Sequence, residues 1–407
     1  MKAKSRVRFG MPTSVLIPES IGIERELRSN FRHVDGSPLD ETDLSQYDRY
    51  TLFYDVFFNI DNDRLYLLGP PLLNLGRQLL PLRARLNGKD IDLSIKEFFK
   101  QSYFEVSGEV DPGSVGAINR VELDFNGVFD VALDIERNRQ QRQTRILSTL
   151  QKNNRSRWIK DWIRYYREYF GIDAVVLYDN GSENIEALRK ELDGVIIEDW
   201  DYPYGIVRSH ANKFCQQGSL NHCRLKYGCG AEIFNFDIDE LLCVDADWLD
   251  RQLQEFDVVS FDSYQVPLLD GGTNDYSFGD FSKRNRDSRG GAKKYIYRDS
   301  AVVANKAHFV RTVENEYLNK VQRQLLRLFR KMKDRGILTS LATFLAERIS
   351  QTRQVRLSEG YFLHYVGITT NWKGAYYDRL QEETGRDDFV DIDPACLRKI
   401  RNVCGPQ

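Results

Sequence analysis

At 407 residues the chain is too long for one ordinary core, so two domains are expected before any motif is read. Hydrophobic residues at 41%, aromatics at 12% and charged residues at 29% give a soluble globular composition and exclude a disordered, collagenous or fibrous chain. With 58 basic against 60 acidic residues the net charge is -2, so no global positive field holds nucleic acid and a charge-driven partner must be met by a local patch.

Met1 to Pro18 carries Lys2, Lys4, Arg6 and Arg8 but not the roughly 7–15 apolar residues that a signal peptide places after its basic region. No later stretch reaches the roughly 18 uncharged apolar residues that span a bilayer, and a cytoplasmic protein is expected. The 6 cysteines, Cys215, Cys223, Cys229, Cys243, Cys396 and Cys404, form no C-x-x-C pair and read as reduced, mostly buried thiols. His222, Cys223 and Cys229 lack the second ligand pair of a zinc corner.

Tyr50 to Phe58 is aromatic and β-branched, and a break at Asn59 to Asp63 before Arg64 to Leu68 makes a hairpin. A second hairpin joins Arg120 to Phe125, which alternates with period two, to Val128 to Leu133 through Asn126 and Gly127, residues that tolerate positive φ. Residues 1–140 therefore read as a smaller β-rich, sandwich-like accessory domain. Ile135 to Arg145 is polar and basic and suits a connector.

Beyond it, Arg145 to Leu150 reads as a strand, Arg157 to Tyr169 as a helix and Ala174 to Tyr178 as a strand. Val195 to Ile197, Ile233 to Phe236 and Asp257 to Phe261 are further buried-strand candidates, and Ser209 to Tyr227 has helical spacing. This βαβ alternation predicts, over residues 141–407, an α/β Rossmann-like domain with a largely parallel sheet that binds ligands beyond the C-terminal ends of its strands. Around 316–335, Leu318, Val321, Leu325, Leu328 and Met332 recur at helical spacing among Lys and Arg, which predicts a basic amphipathic helix. Such a stripe either packs on the protein or lies peripherally on the anionic inner face of a membrane.

Two motifs carry chemistry. The apolar run ending at Phe236 delivers Asp237 and Asp239 one residue apart, with Glu240 after them, in the D-x-D pattern that holds a hard divalent cation and a diphosphate through oxygen ligands. Asp179 and Asn180 follow the Val175 to Tyr178 strand, where a carboxylate accepts hydrogen bonds from a nucleoside; Asn180-Gly181-Ser182 reads equally as a turn.

Four blocks in order, Arg157 to Tyr166, Phe170 to Ser182, Gln217 to Cys223 and Phe236 to Leu242, resemble glycosyltransferases of the GT-A fold, especially the family 92 type and the related branch of family 2. The likeness covers about Thr144 to Gly374. It implies that Asp237 and Asp239 hold Mn²⁺ or Mg²⁺ on a nucleotide-sugar donor, UDP-sugar favoured, that Asp179 with Asn180 meets the nucleoside, and that Glu240 supports the site or touches the sugar. Lys283, Arg284, Lys293 and Lys294, followed by His308, resemble a later basic segment. His364 and Lys373 resemble a closing block, with imidazole suited to the metal and the ammonium to the leaving diphosphate. Lys152-Asn153-Asn154 and Tyr166 depart from the family pattern, which has an acidic residue and a His there.

The reaction so implied transfers a hexose, inverting by resemblance, to a glycan or lipid-linked glycan hydroxyl in polysaccharide assembly. Departure of a nucleoside diphosphate needs charge stabilisation rather than a proton, while the acceptor hydroxyl needs a base. Asp270, Asp275, Asp280 and Glu314 are the candidates, unresolved among themselves. The alternatives are a metal-dependent phosphatase or nucleotidyl hydrolase and a non-catalytic glycan-binding scaffold. A haloacid-dehalogenase-type site wants Thr or Val two residues after its second Asp, where Leu241 stands.

Overall fold

The computed structural model describes residues 12–27, 37–59, 61–98, 103–137, 143–206, 213–267, 276–312, 354–368 and 389–405, with positions 324, 325, 328 and 332. In chain order, β1 (Val15–Leu16), α1 (Glu41–Ser45) and β2 (Thr51–Phe53) lead into β3 (Asp55–Asn59) and β4 (Arg64–Gly69). The short α2 (Gly76–Leu79) precedes β5 (Leu82–Leu86), β6 (Lys89–Ile91), β7 (Leu93–Phe98), β8 (Tyr103–Glu109), β9 (Ile118–Phe125) and β10 (Asp130–Glu136). Both expected hairpins form: Asn59 pairs with Arg64 across β3 and β4, and Asp124 with Asp130 across β9 and β10. The second turns on Asn126 at φ 56° and Gly127 at φ 72°, the left-handed backbone that Asn-Gly was read to supply.

These strands make two four-stranded sheets, β3-β4-β8-β7 and β10-β9-β5-β6. The alternating residues Val121, Leu123 and Phe125 of β9 meet Leu65, Leu67, Phe104 and Val106 in a common core. The first sheet is covered on both sides, and β3 is buried at every position. Its outer face, through Tyr54, Phe57, Tyr66 and Tyr103, shares a second core with Ile146, Val176, Tyr178, Trp200 and Leu225. The amino-terminal sheets and the α/β part are thus packed together through continuous apolar surface.

The second part contains β11 (Arg145–Gln151), α3 (Ser156–Phe170), β12 (Ala174–Asp179), α4 (Ile185–Glu191), β13 (Ile196–Asp199), α5 (Phe214–Lys226), β14 (Glu232–Asn235), β15 (Glu240–Cys243) and α6 (Ala246–Glu255). It continues with β16 (Val258–Val266), β17 (Lys283–Asn285), β18 (Arg289–Arg298), β19 (Val302–Lys306), β20 (Phe309–Thr312), β21 (Gln354–Tyr365), β22 (Phe389–Asp391) and α7 (Pro394–Cys404). Eight strands form one sheet, β13-β12-β11-β14-β18-β16-β21-β15. The first four are parallel as the βαβ alternation predicted. The expectation of a largely parallel sheet is otherwise corrected: β18 runs antiparallel to both neighbours, and β15 antiparallel to β21.

The sheet must curl. β14 and β15 stand four ladder spacings apart in its order, about 19 Å if flat. From Asn235 to Glu240 the chain takes five Cα steps, at most about 18 Å when fully extended. The 236–239 link therefore straps the fourth strand to the eighth and pulls the wall round.

Cys243 at the end of β15 and Cys396 in α7 form a disulfide with Cα atoms 5.6 Å apart, so the expectation of six reduced thiols is corrected. The pairing joins positions 153 residues apart, which no local pattern announces. Cysteine usage consequently no longer argues for a reducing compartment. Cys215, Cys223 and Cys404 are free and buried, and Cys229 is free and half-buried. The basic helix expected at 316–335 lies outside the described residues except at four positions, among which Leu325 and Leu328 are exposed. Among the described residues no helix is long and apolar enough to cross a membrane.

Candidate active site

Hydrophobic burial fixes the link that carries the acidic motif. Phe236 and Ile238 sink into the core at 0% and 3% exposure, so Asp237 and Asp239 turn away from it. Glu240 N donates to the Asp237 carbonyl at 3.0 Å, and Asp237 N donates to Glu240 Oε2 at 2.8 Å, closing a tight turn. Tyr365 N donates to the Asp239 carbonyl at 2.7 Å, and β15 pairs Glu240 with His364 on β21. Tyr166, where the family pattern has His, is fully buried; its hydroxyl donates to the Glu240 carbonyl at 3.1 Å and accepts from Leu242 N at 3.2 Å. The departure at this position therefore holds the backbone under the motif.

The two carboxylates of the D-x-D have different partners. Asp239 Oδ2 lies 3.3 Å from His364 Nε2, whereas Asp237 Oδ2 lies 2.8 Å from Lys294 Nζ on β18. The Lys294 ammonium also lies 3.1 Å from Glu240 Oε2, and its side chain is entirely buried. Asp239, Glu240 and His364 each offer one atom within 4.8 Å of the others. Two carboxylates suit Mn²⁺ or Mg²⁺, and the imidazole nitrogen beside them favours Mn²⁺ over Mg²⁺, which prefers oxygen ligands throughout. Of the set expected from sequence, Asp239 and His364 come together with Glu240, whereas the Asp237 carboxylate is turned to Lys294 instead.

The electrostatics follow from two carboxylates on one ammonium, with a third, Asp239, beside them on the imidazole. Burial pushes the Glu240 carboxyl up to about 8, because Asp237 and Asp239 add to the desolvation that Lys294 opposes. Lys294 moves the other way from a buried lysine: desolvation lowers it, but Asp237 and Glu240 outweigh that and keep it charged.

Asp179 reaches the same edge of the sheet. Asp179 pairs with Gln151, and Asn235 with Ser148, so Asp179 and Asp237 leave the sheet at nearly one height, two strands or about 10 Å apart. Its two oxygens are already engaged: Ser182 N donates to Oδ1 at 2.8 Å and Gln151 Nε2 donates to Oδ2. Burial raises its carboxyl above the usual range. Asn180 donates its amide to the Trp200 and Tyr202 carbonyls, both at 2.8 Å, and clamps the exit of β13. In this structure both residues build the 179–182 turn. The Lys152-Asn153-Asn154 departure belongs to the same turn, since Asn153 N donates to Ser182 Oγ at 2.7 Å.

Asp280 ends the Phe278–Asp280 turn and closes its capping box, accepting from Ser277 N at 2.7 Å. Asp270, Asp275, Glu314 and Lys373 lie outside the described residues. His308 donates Nδ1–H to the Lys293 carbonyl at 3.0 Å, since a carbonyl only accepts. Arg284 stacks on Tyr264 and Tyr361 at 4.2 and 5.0 Å. His222, flagged with the zinc question, sits between Tyr178 and Asp55 at 2.8 Å each. The specific role of Lys294 was missed by sequence reasoning, although a lysine entering the apolar run Tyr295, Ile296 and Tyr297 was a readable signal.

An open groove of about 630 Å³ lies at the opposite edge of the parallel strands, lined by Thr144, Arg145, Gly171, Glu232, Asp250 and Arg298. Arg145 is tied there to Glu232 at 2.9 Å and to Asp250 at 2.6 Å, so its charge is already answered.

Fold and site together define a mixed α/β protein with a large curled sheet and a carboxylate–imidazole cluster on the strap that closes it. Compared with known protein families the sequence matches none, and no curated protein matches it. Among solved structures it is similar to a protein from Bacillus anthracis described as a glucose-1-phosphate thymidylyltransferase, in complex with a sucrose. That likeness covers 63% of this chain and 98% of the other at 8% identity, with a TM-score of 0.27. At that level it carries no argument, and the functional reading rests on the residues themselves.

Proposed function

We propose that the chain is a divalent-cation-dependent glycosyltransferase that moves a sugar from a nucleotide-sugar donor to a glycan or lipid-linked glycan hydroxyl. The supporting observation is the convergence of Asp239, Glu240 and His364 within 4.8 Å, beside the buried ammonium of Lys294. The cluster sits where parallel strands open at their C-terminal ends, which is where α/β sheets bind ligands.

Asp239, Glu240 and His364 would hold Mn²⁺ or Mg²⁺, and the bound cation would neutralise charge on the departing diphosphate. Lys294 adds a fixed positive charge on the Asp237 side, so the leaving group needs no proton. Phe236, Ile238 and Tyr166 keep the link rigid, and burial strengthens the charge interactions. The acceptor hydroxyl gives its proton to a base. Asp280, engaged as a cap, is the weaker candidate, which leaves Asp270, Asp275 and Glu314.

A thermal-shift panel of UDP-, GDP-, CMP- and dTDP-sugars with and without Mn²⁺ tests the reading. Ligand at about 100 times its Kd stabilises the fold by about 2.7 kcal/mol. One nucleotide class, UDP expected, should raise the Tm in the presence of Mn²⁺, and Asp239→Ala should abolish the rise. A nucleotide-dependent shift that survives Asp239→Ala removes the site assignment.

A further inference from the structure

Lys294 is fully buried between Asp237 Oδ2 at 2.8 Å and Glu240 Oε2 at 3.1 Å, while Glu240 also belongs to the group of three that faces outward with Asp239 and His364. One carboxylate therefore serves two positive partners, the resident ammonium and any cation that joins Asp239 and His364. We propose that Lys294 is a built-in counter-cation that keeps the divalent site weak in the free protein and yields Glu240 when a diphosphate arrives to take its charge. This inference rests on the preceding reading of the site and adds to it how occupancy is controlled.

The physical case is one of charge count and geometry. Two buried carboxylates, Asp239 and Glu240, and the half-exposed Asp237 outnumber the one ammonium, and buried charge persists only when paired. A cation entering between Asp239 and His364 is thus attracted by the cluster and repelled by an ammonium that already touches Glu240. Lys294 cannot withdraw into solvent, because β18 holds it between β14 and β16 with no exposed surface. It can change only its acceptor, from Glu240 Oε2 to an anion beside Asp237, whose side chain is 35% exposed and opens the way. A nucleoside diphosphate supplies that anion. Cation and diphosphate then bind with positive coupling, of the 5–150-fold size usual for linked sites.

The test titrates Mn²⁺ by electron paramagnetic resonance, with and without UDP, on wild type, Lys294→Met and Lys294→Gln. Lys294→Met removes the competing charge and should bind Mn²⁺ alone at least tenfold more tightly than wild type, with a smaller further gain on adding UDP. Lys294→Gln keeps a donor of similar length beside Asp237 and should show the same tightening. Should either variant fold only when Mn²⁺ is present, the ion is replacing the ammonium and the proposal stands. Unchanged or weaker Mn²⁺ binding in both variants, or failure to fold with and without Mn²⁺, overturns it and makes Lys294 a structural ion-pair partner. Wild type that binds no Mn²⁺ even with UDP overturns the site reading itself, and the lysine inference with it.

Discussion

At the scale of single residues, Glu240 lies 3.1 Å from an ammonium and still titrates up to about 8, because burial and two neighbouring carboxylates outweigh one lysine. A carboxyl raised in the folded state holds its proton more tightly there than in the unfolded chain. Its stabilising contribution is therefore complete below the ordinary value of 4.5 and lost as pH rises to about 8. Wild type should lose denaturant resistance across that window, Glu240→Gln should lack this slope, and excess Mn²⁺ should offset the fall by favouring the ionised form. Parallel pH profiles for the two proteins would refute the assignment. The acidic motif was legible because two carboxylates after an apolar run are a local pattern. The engagement of Asp179 by Gln151, and of Glu240 by Lys294, was not, since both depend on ladder pairings between distant segments.

At the scale of elements, α7 is attached to the sheet by the Cys243–Cys396 bond and lies against α3, where Arg164 donates to the Val403 carbonyl at 2.9 Å. Closing a span of 153 residues removes unfolded-chain entropy worth about 5 kcal/mol at most in the chain-entropy treatment, with about 2–4 typical. Cys396→Ser should lower the unfolding free energy by about 2–5 kcal/mol, and dithiothreitol should do the same to wild type only. A non-reducing peptide map without a 243–396 linkage, or a dithiothreitol effect that persists in Cys396→Ser, would contradict the bond. The element reading from sequence succeeded where periodicity is strong: β11, α3 and β12 form within a residue or two of their expected bounds. It failed on sheet direction, because a period-two or all-apolar run does not say which way its neighbour runs.

At the scale of the whole molecule, α5 joins the amino-terminal sheets to the large sheet. Gly218 has no room for a side chain, since a Cβ there would lie 2.5 Å from Tyr54. Asp55 of β3 meets His222 Nε2 at 2.8 Å and Lys226 Nζ at 2.9 Å, and Lys226 continues to Glu198 at 3.1 Å. Burial alone would raise the Asp55 carboxyl, but Lys226 and His222 outweigh it and hold it below the usual range. Burial and Lys226 keep His222 below its ordinary value, against the pull of Asp55. A carboxyl depressed in the folded state contributes stability above its unfolded value of about 3.9, and that is lost as pH falls towards the folded one. Asp55→Asn should therefore cost about 3–5 kcal/mol at pH 7, as breaking a buried pair does, and should flatten the acid limb of the unfolding curve. An acid limb unchanged by Asp55→Asn would show that the junction is not where the protein is acid-sensitive. The Gln217 to Cys223 block, read from sequence as one of four transferase blocks, is in three dimensions this junction. Composition led to the expectation of two regions, and the buried ion-pair network at this junction leaves no compositional trace.

The strap at 236–239 has a geometric implication. Asp237 takes its height from the β11–β14 ladder and Glu240 from the pairing with β21, whose strand is more than a hundred residues further along the chain. The meeting of the motif with His364 is consequently a dimension of the sheet's closure, and a one-residue slip in the β15–β21 ladder would dismantle the cluster while leaving every residue of the motif in place.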